Sequence, residues 1–216
     1  MSEKTKIGYN ILHWGPCVVH TKISSEAVEL FLKEAKASNE DATSTLAGIL
    51  NKEVNLRDKD KFKKFFEQYF SLYNHALSTW VLDLAVTHEI NPKYYLNRLW
   101  CNFQRPNDFN PPHSHSGALS FVIYIQIPEE LRKENATFKG LSAGPGGVTF
   151  TYGDVEVNSI GHHSVFPQEG DIFIFPAWLK HWVYPFKSDC TRISISGNVE
   201  DSVKLNQLEK SKNEKR

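Results

Sequence analysis

Apolar positions along this chain fall first into helical and then into strand spacing. From about Lys59 to Val81, the residues Phe62, Phe65, Phe66, Tyr69, Phe70, Tyr73 and Leu77 recur three and four apart, which stacks them on one side of a helix. An earlier stretch, Glu26 to Ala37, repeats Val28, Leu30, Phe31 and Ala35 in the same way behind the capping run Ser24-Ser25-Glu26. Ahead of both, Lys6 to Ile23 alternates apolar and polar residues across a Trp14-Gly-Pro16 break, as a strand pair with a turn does. The aromatic stripe could be taken for a cofactor box. A helix laid across the outside of a sheet accounts for it more simply.

From Tyr94 the texture changes to short β-type runs: Tyr95 to Phe103, Leu119 to Ile127, Val148 to Tyr152, Val165-Phe166, Asp171 to Phe175, His181 to Tyr184, and Arg192 to Asn198. Gly, Pro and Asn punctuate the gaps. Short strands with turn signals between them predict a sandwich or barrel, and early helices followed by late strands predict a mainly β fold with an N-terminal helical layer. Residues 1–200 read as one domain, with helical support over about 24–81 and a β-core over about 94–198. The last stretch, 201–216, is too polar and charged to bury itself and reads as a disordered tail.

Composition narrows the function. The 25 basic residues balance 25 acidic ones with no long basic block, so there is little electrostatic pull toward nucleic acid or anionic lipid. No secretory leader and no run of roughly 18 to 20 apolar residues is present, which predicts a soluble, cytoplasmic protein with no membrane partner. The 3 cysteines, Cys17, Cys101 and Cys190, are too few and too widely spaced for a disulfide framework or a Cys-rich zinc module.

The candidate chemistry lies in three histidines. On an extended chain His113 and His115 project to one face, roughly 6.6 Å apart at a rise of about 3.3 Å per residue, and could converge on one ion. His181 follows an apolar strand, Ile172 to Phe175, and a bend at Pro176-Ala-Trp178, at the start of another strand. Three neutral nitrogen ligands leave other positions open, as an oxygen-activating non-haem iron requires; satisfied core histidines are the alternative. In Arg192-Ile-Ser-Ile-Ser196 the arginine and the serines share one face and the isoleucines the other. An inward guanidinium needs an anion: either a ligand carboxylate, with Ser194 adding a hydrogen bond, or an internal partner such as Asp171 or Glu169. His162-His163 read as exposed loop residues.

Taken in order, Pro112-His113-Ser-His115, Ser120-Phe-Val-Ile-Tyr124, Gly170, Phe175-Pro176, His181, Pro185, Arg192-Ile-Ser194 and Asn198 resemble the Fe(II)- and 2-oxoglutarate-dependent dioxygenases, in particular a branch frequent in phages and marine bacteria. The resemblance covers about Trp100 to Asn198. It implies a double-stranded β-helix, a cupin-like jelly roll. It implies that His113 and His181 bind Fe(II) and that Arg192 and Ser194 hold the distal carboxylate of the co-substrate 2-oxoglutarate. Tyr124 would lend its hydroxyl to that group, and Asn102 and Tyr95 are further pocket-lining candidates. The implied activity converts 2-oxoglutarate to succinate and CO2 while a C–H bond of a small molecule or protein side chain is oxidised, with no catalytic residue beyond the metal ligands. The departure is at position 115, where most of the superfamily has Asp or Glu; His115 as third ligand removes a negative charge. Two other readings stay open: a three-histidine cupin enzyme that does not use 2-oxoglutarate, and a non-catalytic β-sandwich binding module.

Overall fold

The computed structural model describes residues 15–56, 58–83, 92–154, 157 and 159–202, with the backbone alone over 80–83. The elements in chain order are β1 (Val19–Lys22), α1 (Ser25–Ala37), β2 (Glu53–Asn55), α2 (Lys59–Asp83), β3 (Tyr94–Gln104), β4 (Asn110–His113), β5 (Leu119–Gln126), α3 (Glu129–Ala136), β6 (Val148–Thr151), β7 (His162–Val165), β8 (Asp171–Pro176), β9 (Lys180–Val183) and β10 (Arg192–Asp201). Six strands form one antiparallel sheet in the order β1-β8-β5-β10-β3-β2, and four form a second in the order β4-β9-β6-β7. The expected β-core with an N-terminal helical layer is therefore present.

Strand alternation sorts the large sheet into two faces. Phe121 and Ile123 of β5, Ile172 and Ile174 of β8, and Ile193 and Ile195 of β10 point to one side, where they pack with Val28, Phe31 and Ala35 of α1 and with Phe62, Phe66, Phe70 and Tyr73 of α2. The α2 stripe thus covers the outside of the sheet, with the Phe66 ring 4.5 Å from that of Phe121. Ser24 caps α1 by accepting the Ala27 N–H at 3.3 Å. The opposite face carries Tyr124, Phe173 and Phe175 toward Val148 and Phe150 of β6, Leu179 and Val183 of β9, and forms the core between the sheets.

The structure also corrects and extends the sequence reading. The second half of the expected N-terminal strand pair is β1, which pairs with β8; the first half, like residues 203–216 of the expected tail, lies outside the described residues. α3 was not foreseen because, of Glu-Glu-Leu-Arg-Lys-Glu-Asn-Ala, only Leu131 is buried and no apolar stripe exists to read. His162-His163 stand on edge strand β7 rather than in a loop, although both side chains are exposed. Among the described residues no helix is long and apolar enough to cross a membrane.

Candidate metal centre and anion pocket

The β4–β9 ladder sets His113 opposite His181. Past the end of β4 the chain turns, and the His115 N–H donates to the Ala177 carbonyl at 2.8 Å, which fixes the third histidine beside the β8–β9 bend. The three rings converge: centroids are 4.4 Å apart for His113 and His181, 4.9 Å for His113 and His115, and 5.1 Å for His115 and His181. One ring nitrogen from each lies within 4.8 Å of the others.

Local geometry prepares these rings as ligands. The His113 Nδ1 lies 2.7 Å from the Pro111 carbonyl and the His181 Nδ1 2.9 Å from the Leu179 carbonyl. A carbonyl only accepts, so each Nδ1 carries the hydrogen and each Nε2 keeps a free lone pair, the usual second partner of a metal-bound histidine. Burial holds all three rings neutral. It depresses His113; it brings His181 down to about 4, with the neighbouring His113 adding to the effect; and it brings His115 down to about 3, aided by His181, His113 and Arg98. Neutral imidazoles with nitrogens this close together suit a borderline divalent cation such as iron(II).

Across from the triad, the inner face of the large sheet presents a row of polar side chains, one per strand. Glu53 of β2 is in register with Asn102 of β3, Asn102 with Ser194 of β10, and Ser194 with Tyr124 of β5. These residues, with Arg192, Ser196, Trp100 and the three histidines, line one pocket. Arg192 is buried, its guanidinium carbon 5.2 Å from the Tyr124 ring centroid, and one Nη1 donation of 2.7 Å to the Gly146 carbonyl orients it. Its Nε and the Tyr124 hydroxyl are buried without a partner among the described residues. Burial pushes the Tyr124 hydroxyl up to about 12 and lowers Arg192 from its ordinary value, so the pair stays a phenol and a guanidinium. Two unsatisfied buried donors on adjacent strands are costly unless an anion accepts from both, and a carboxylate fits that pair.

The sequence candidates sort clearly on this geometry. His113, His115 and His181 come together, and Arg192, Ser194, Tyr124 and Asn102 line the same pocket. Neither internal candidate pairs with Arg192: Asp171 of β8 pairs with Lys22 at 2.9 Å and His20 at 3.1 Å on neighbouring β1, and Glu169 Oε2 accepts the Ile127 N–H at 3.4 Å. Tyr95 is 41% exposed near the start of β3 and lies off the pocket. Glu53 was missed. It belongs to a three-residue strand whose sequence, Lys52-Glu-Val-Asn55, reads as polar surface.

A family described as "Putative 2OG-Fe(II) oxygenase" matches residues 98–198, the span from β3 to β10 that holds the triad and Arg192. Over that span the chain is similar to the 2OG-Fe(II) oxygenases. The match favours the 2-oxoglutarate reading over the cupin without 2-oxoglutarate and the non-catalytic sandwich. Solved oxygenases share the fold. The viral collagen prolyl hydroxylase of Paramecium Bursaria Chlorella virus-1, in complex with 2-oxoglutarate, aligns with TM-score 0.51 at 13% identity over 84% of this chain and 94% of that one. A Pseudomonas putida prolyl-4-hydroxylase aligns with TM-score 0.51 at 14% identity over 85% and 91%. A Burkholderia pseudomallei oxidoreductase of the 2OG-Fe(II) oxygenase family aligns with TM-score 0.53 at 8% identity over 85% of each chain. No curated protein sequence matches the chain.

Proposed function

We propose that this oxygenase binds iron(II) through His113, His115 and His181, holds the distal carboxylate of 2-oxoglutarate on Arg192 and Tyr124 with Ser194 beside them, and hydroxylates a C–H bond of a small molecule or protein side chain. The observation that carries the residue roles is the pair of buried, unpartnered donors, Arg192 Nε and Tyr124 Oη, in the pocket that the triad also lines. When bound, iron and 2-oxoglutarate supply the oxidising chemistry, with O2 consumed and succinate and CO2 released.

The chain's own part is positioning. The Gly146 carbonyl aims the Arg192 fork, so a carboxylate that docks there is held in one orientation. The Pro111 and Leu179 carbonyls fix two of the three imidazoles in the ligating tautomer. Val122, Val148 and Val183 line the same pocket and displace water from between the sheets, which strengthens every charge interaction inside. Free Cys17, Cys101 and Cys190 fit a reducing compartment, and we place the enzyme in a cytoplasm, that of the host if the chain is viral.

The test is anaerobic titration of the metal-free protein with iron(II) and then 2-oxoglutarate, following the weak visible charge-transfer band of a keto acid chelated to iron. The band forms in the wild type and is absent in Arg192→Ala and His181→Ala. Iron binding with no response to 2-oxoglutarate would overturn the assignment of the anion site.

A further inference from the structure

The co-substrate site accounts for one end of the polar row but not for the other. Glu53 stands at that other end, 1% exposed, with its Oε2 lacking a hydrogen-bond partner among the described residues. A buried carboxyl with an empty acceptor is costly in a folded protein and calls for a ligand. The nearest cationic side chain does not provide one. Arg98 is spent on Asn55 Oδ1, at 3.3 Å from Nε and 3.2 Å from Nη2, and on Thr45 Oγ1 at 2.6 Å, and it lies over the Trp100 ring.

Glu53 lines the pocket with Gly48 and Asn110. Position 48 has no room for a side chain: a Cβ there would collide with Leu50 Cδ1 and lie 2.5 Å from Asn110 Oδ1 and 3.0 Å from Glu53 Oε1. Oε1 is thus crowded by the loop, and Oε2 is the acceptor left open. An ammonium, a compact cation with three donors, can satisfy a single carboxylate oxygen, whereas a planar guanidinium seeks two oxygens of one carboxylate.

Glu53 also lies where a main substrate has to sit. Glu53 and Tyr124 are three strand spacings apart along the row, roughly 14 Å at 4.7–4.9 Å per strand. β3 runs between β2 and β10, and its Trp100 places an indole 5.7 Å from the His115 ring. The triad is thus flanked by a cationic end at Arg192 and an acidic end at Glu53. An anionic co-substrate takes the first. The second is left for a molecule of opposite sign, oxidised at a carbon between its charge and the metal centre.

We propose that Glu53 recognises a protonated amine on the main substrate. This deepens, and rests on, the oxygenase reading above. The amine can belong to a free small molecule or to a lysine side chain of a peptide, and the experiment separates the two.

Full-length, metal-free protein is titrated by calorimetry with L-lysine, n-butylamine and an N-acetylated, C-amidated Gly-Lys-Gly peptide, each against its ε- or N-acetylated counterpart. At least one amine should bind about tenfold or more tightly than its uncharged counterpart, and that preference should be lost in Glu53→Gln, which keeps the side-chain shape, and in Glu53→Ala, which removes the carboxyl. Binding of lysine or butylamine identifies a small-molecule source; binding of the peptide alone identifies a protein side chain. Cooperative thermal unfolding of both variants shows that they are folded. The proposal is overturned if no amine binds, or if both folded variants bind it as the wild type does. Because these titrations use neither iron nor 2-oxoglutarate, their failure is distinct from failure of the chelate band, which tests the oxygenase assignment alone.

Discussion

His113 and His181 sit directly opposite each other on β4 and β9, with ring centroids 4.4 Å apart. Strand pairing alone brings together two residues 68 positions apart in sequence, and carbonyls two residues upstream of each, Pro111 and Leu179, set both tautomers. This half of the centre is built from the ladder. The third histidine is not: His115 lies beyond β4 and is held by its backbone bond to Ala177.

That asymmetry predicts unequal effects of substitution. Removing either ladder histidine should abolish iron(II) retention on gel filtration, because two remaining neutral ligands make a poor site. His115→Asp should do the reverse. It introduces the negative charge that the three-histidine set lacks, so the variant should hold iron(II) at least about tenfold more tightly without 2-oxoglutarate, a modest figure for one added charged ligand. Equal retention in wild type and His115→Asp, measured by competition with a chelator, would show that His115 is not a ligand.

Arg192 and Tyr124 should separate in strength. Arg192→Ala removes the charged half of the carboxylate site and should weaken 2-oxoglutarate binding by roughly 2–5 kcal/mol, a loss of about thirtyfold or more. Tyr124→Phe deletes one neutral donor and should cost about 0.5–1.5 kcal/mol. Arg192→Lys should recover only part of the loss, since an ammonium cannot reproduce the fork or the Gly146 contact together. Titration of the iron-loaded variants with 2-oxoglutarate gives all three constants, and a Tyr124→Phe defect as large as that of Arg192→Ala would refute this ranking.

The parts of this site written in strand alternation were readable in advance. Arg192, Ser194 and Ser196 against Ile193 and Ile195 is a period-two pattern, and those two sets do face the pocket and the helical layer respectively. The α2 aromatic stripe was readable for the same reason at period 3.6. Glu53 was not, because its face is set by pairing with Asn102 on a strand nearly fifty residues later, and three residues carry too little periodicity to announce a strand. The position of His115 was half legible. Its spacing from His113 suggests an extended chain, whereas the chain leaves the strand before reaching it, and only the contact with Ala177 returns the ring to the centre.

Packing of the helical layer yields a stability prediction independent of the chemistry. Phe66 is fully buried and touches Phe31, Phe65, Phe70 and Phe121, so it joins α1, α2 and the large sheet. Phe66→Ala should destabilise the protein by about 3–5 kcal/mol through lost contact and a cavity. Phe65, on the same helix but only partly buried, should cost clearly less. Urea unfolding of the two variants measures both, and equal losses would mean that α2 is not seated as described.

The buried titratable groups make opposite demands on pH in the metal-free protein. The triad has folded values below the ordinary histidine value of 6.5, so its contribution is fully present above about pH 6.5 and is lost as pH falls toward 4 and 3. Glu53 runs the other way. Burial raises its carboxyl to about 7, with nearby Arg98 opposing and Asp41 and Asp108 adding to the rise, so its contribution is present below about pH 4.5 and is lost as pH rises through 7. The two partly cancel between pH 5 and 7 in the wild type. Glu53→Gln removes one of them: its stability relative to wild type should grow between pH 5 and pH 8, by on the order of 1–3 kcal/mol, while its own stability still falls on acidification. Urea midpoints at pH 5, 6, 7 and 8, taken in chelator to keep the triad free of metal, give both curves. Parallel curves would mean that the Glu53 carboxyl titrates as it does in water and is not the buried, unpartnered acid that the pocket presents.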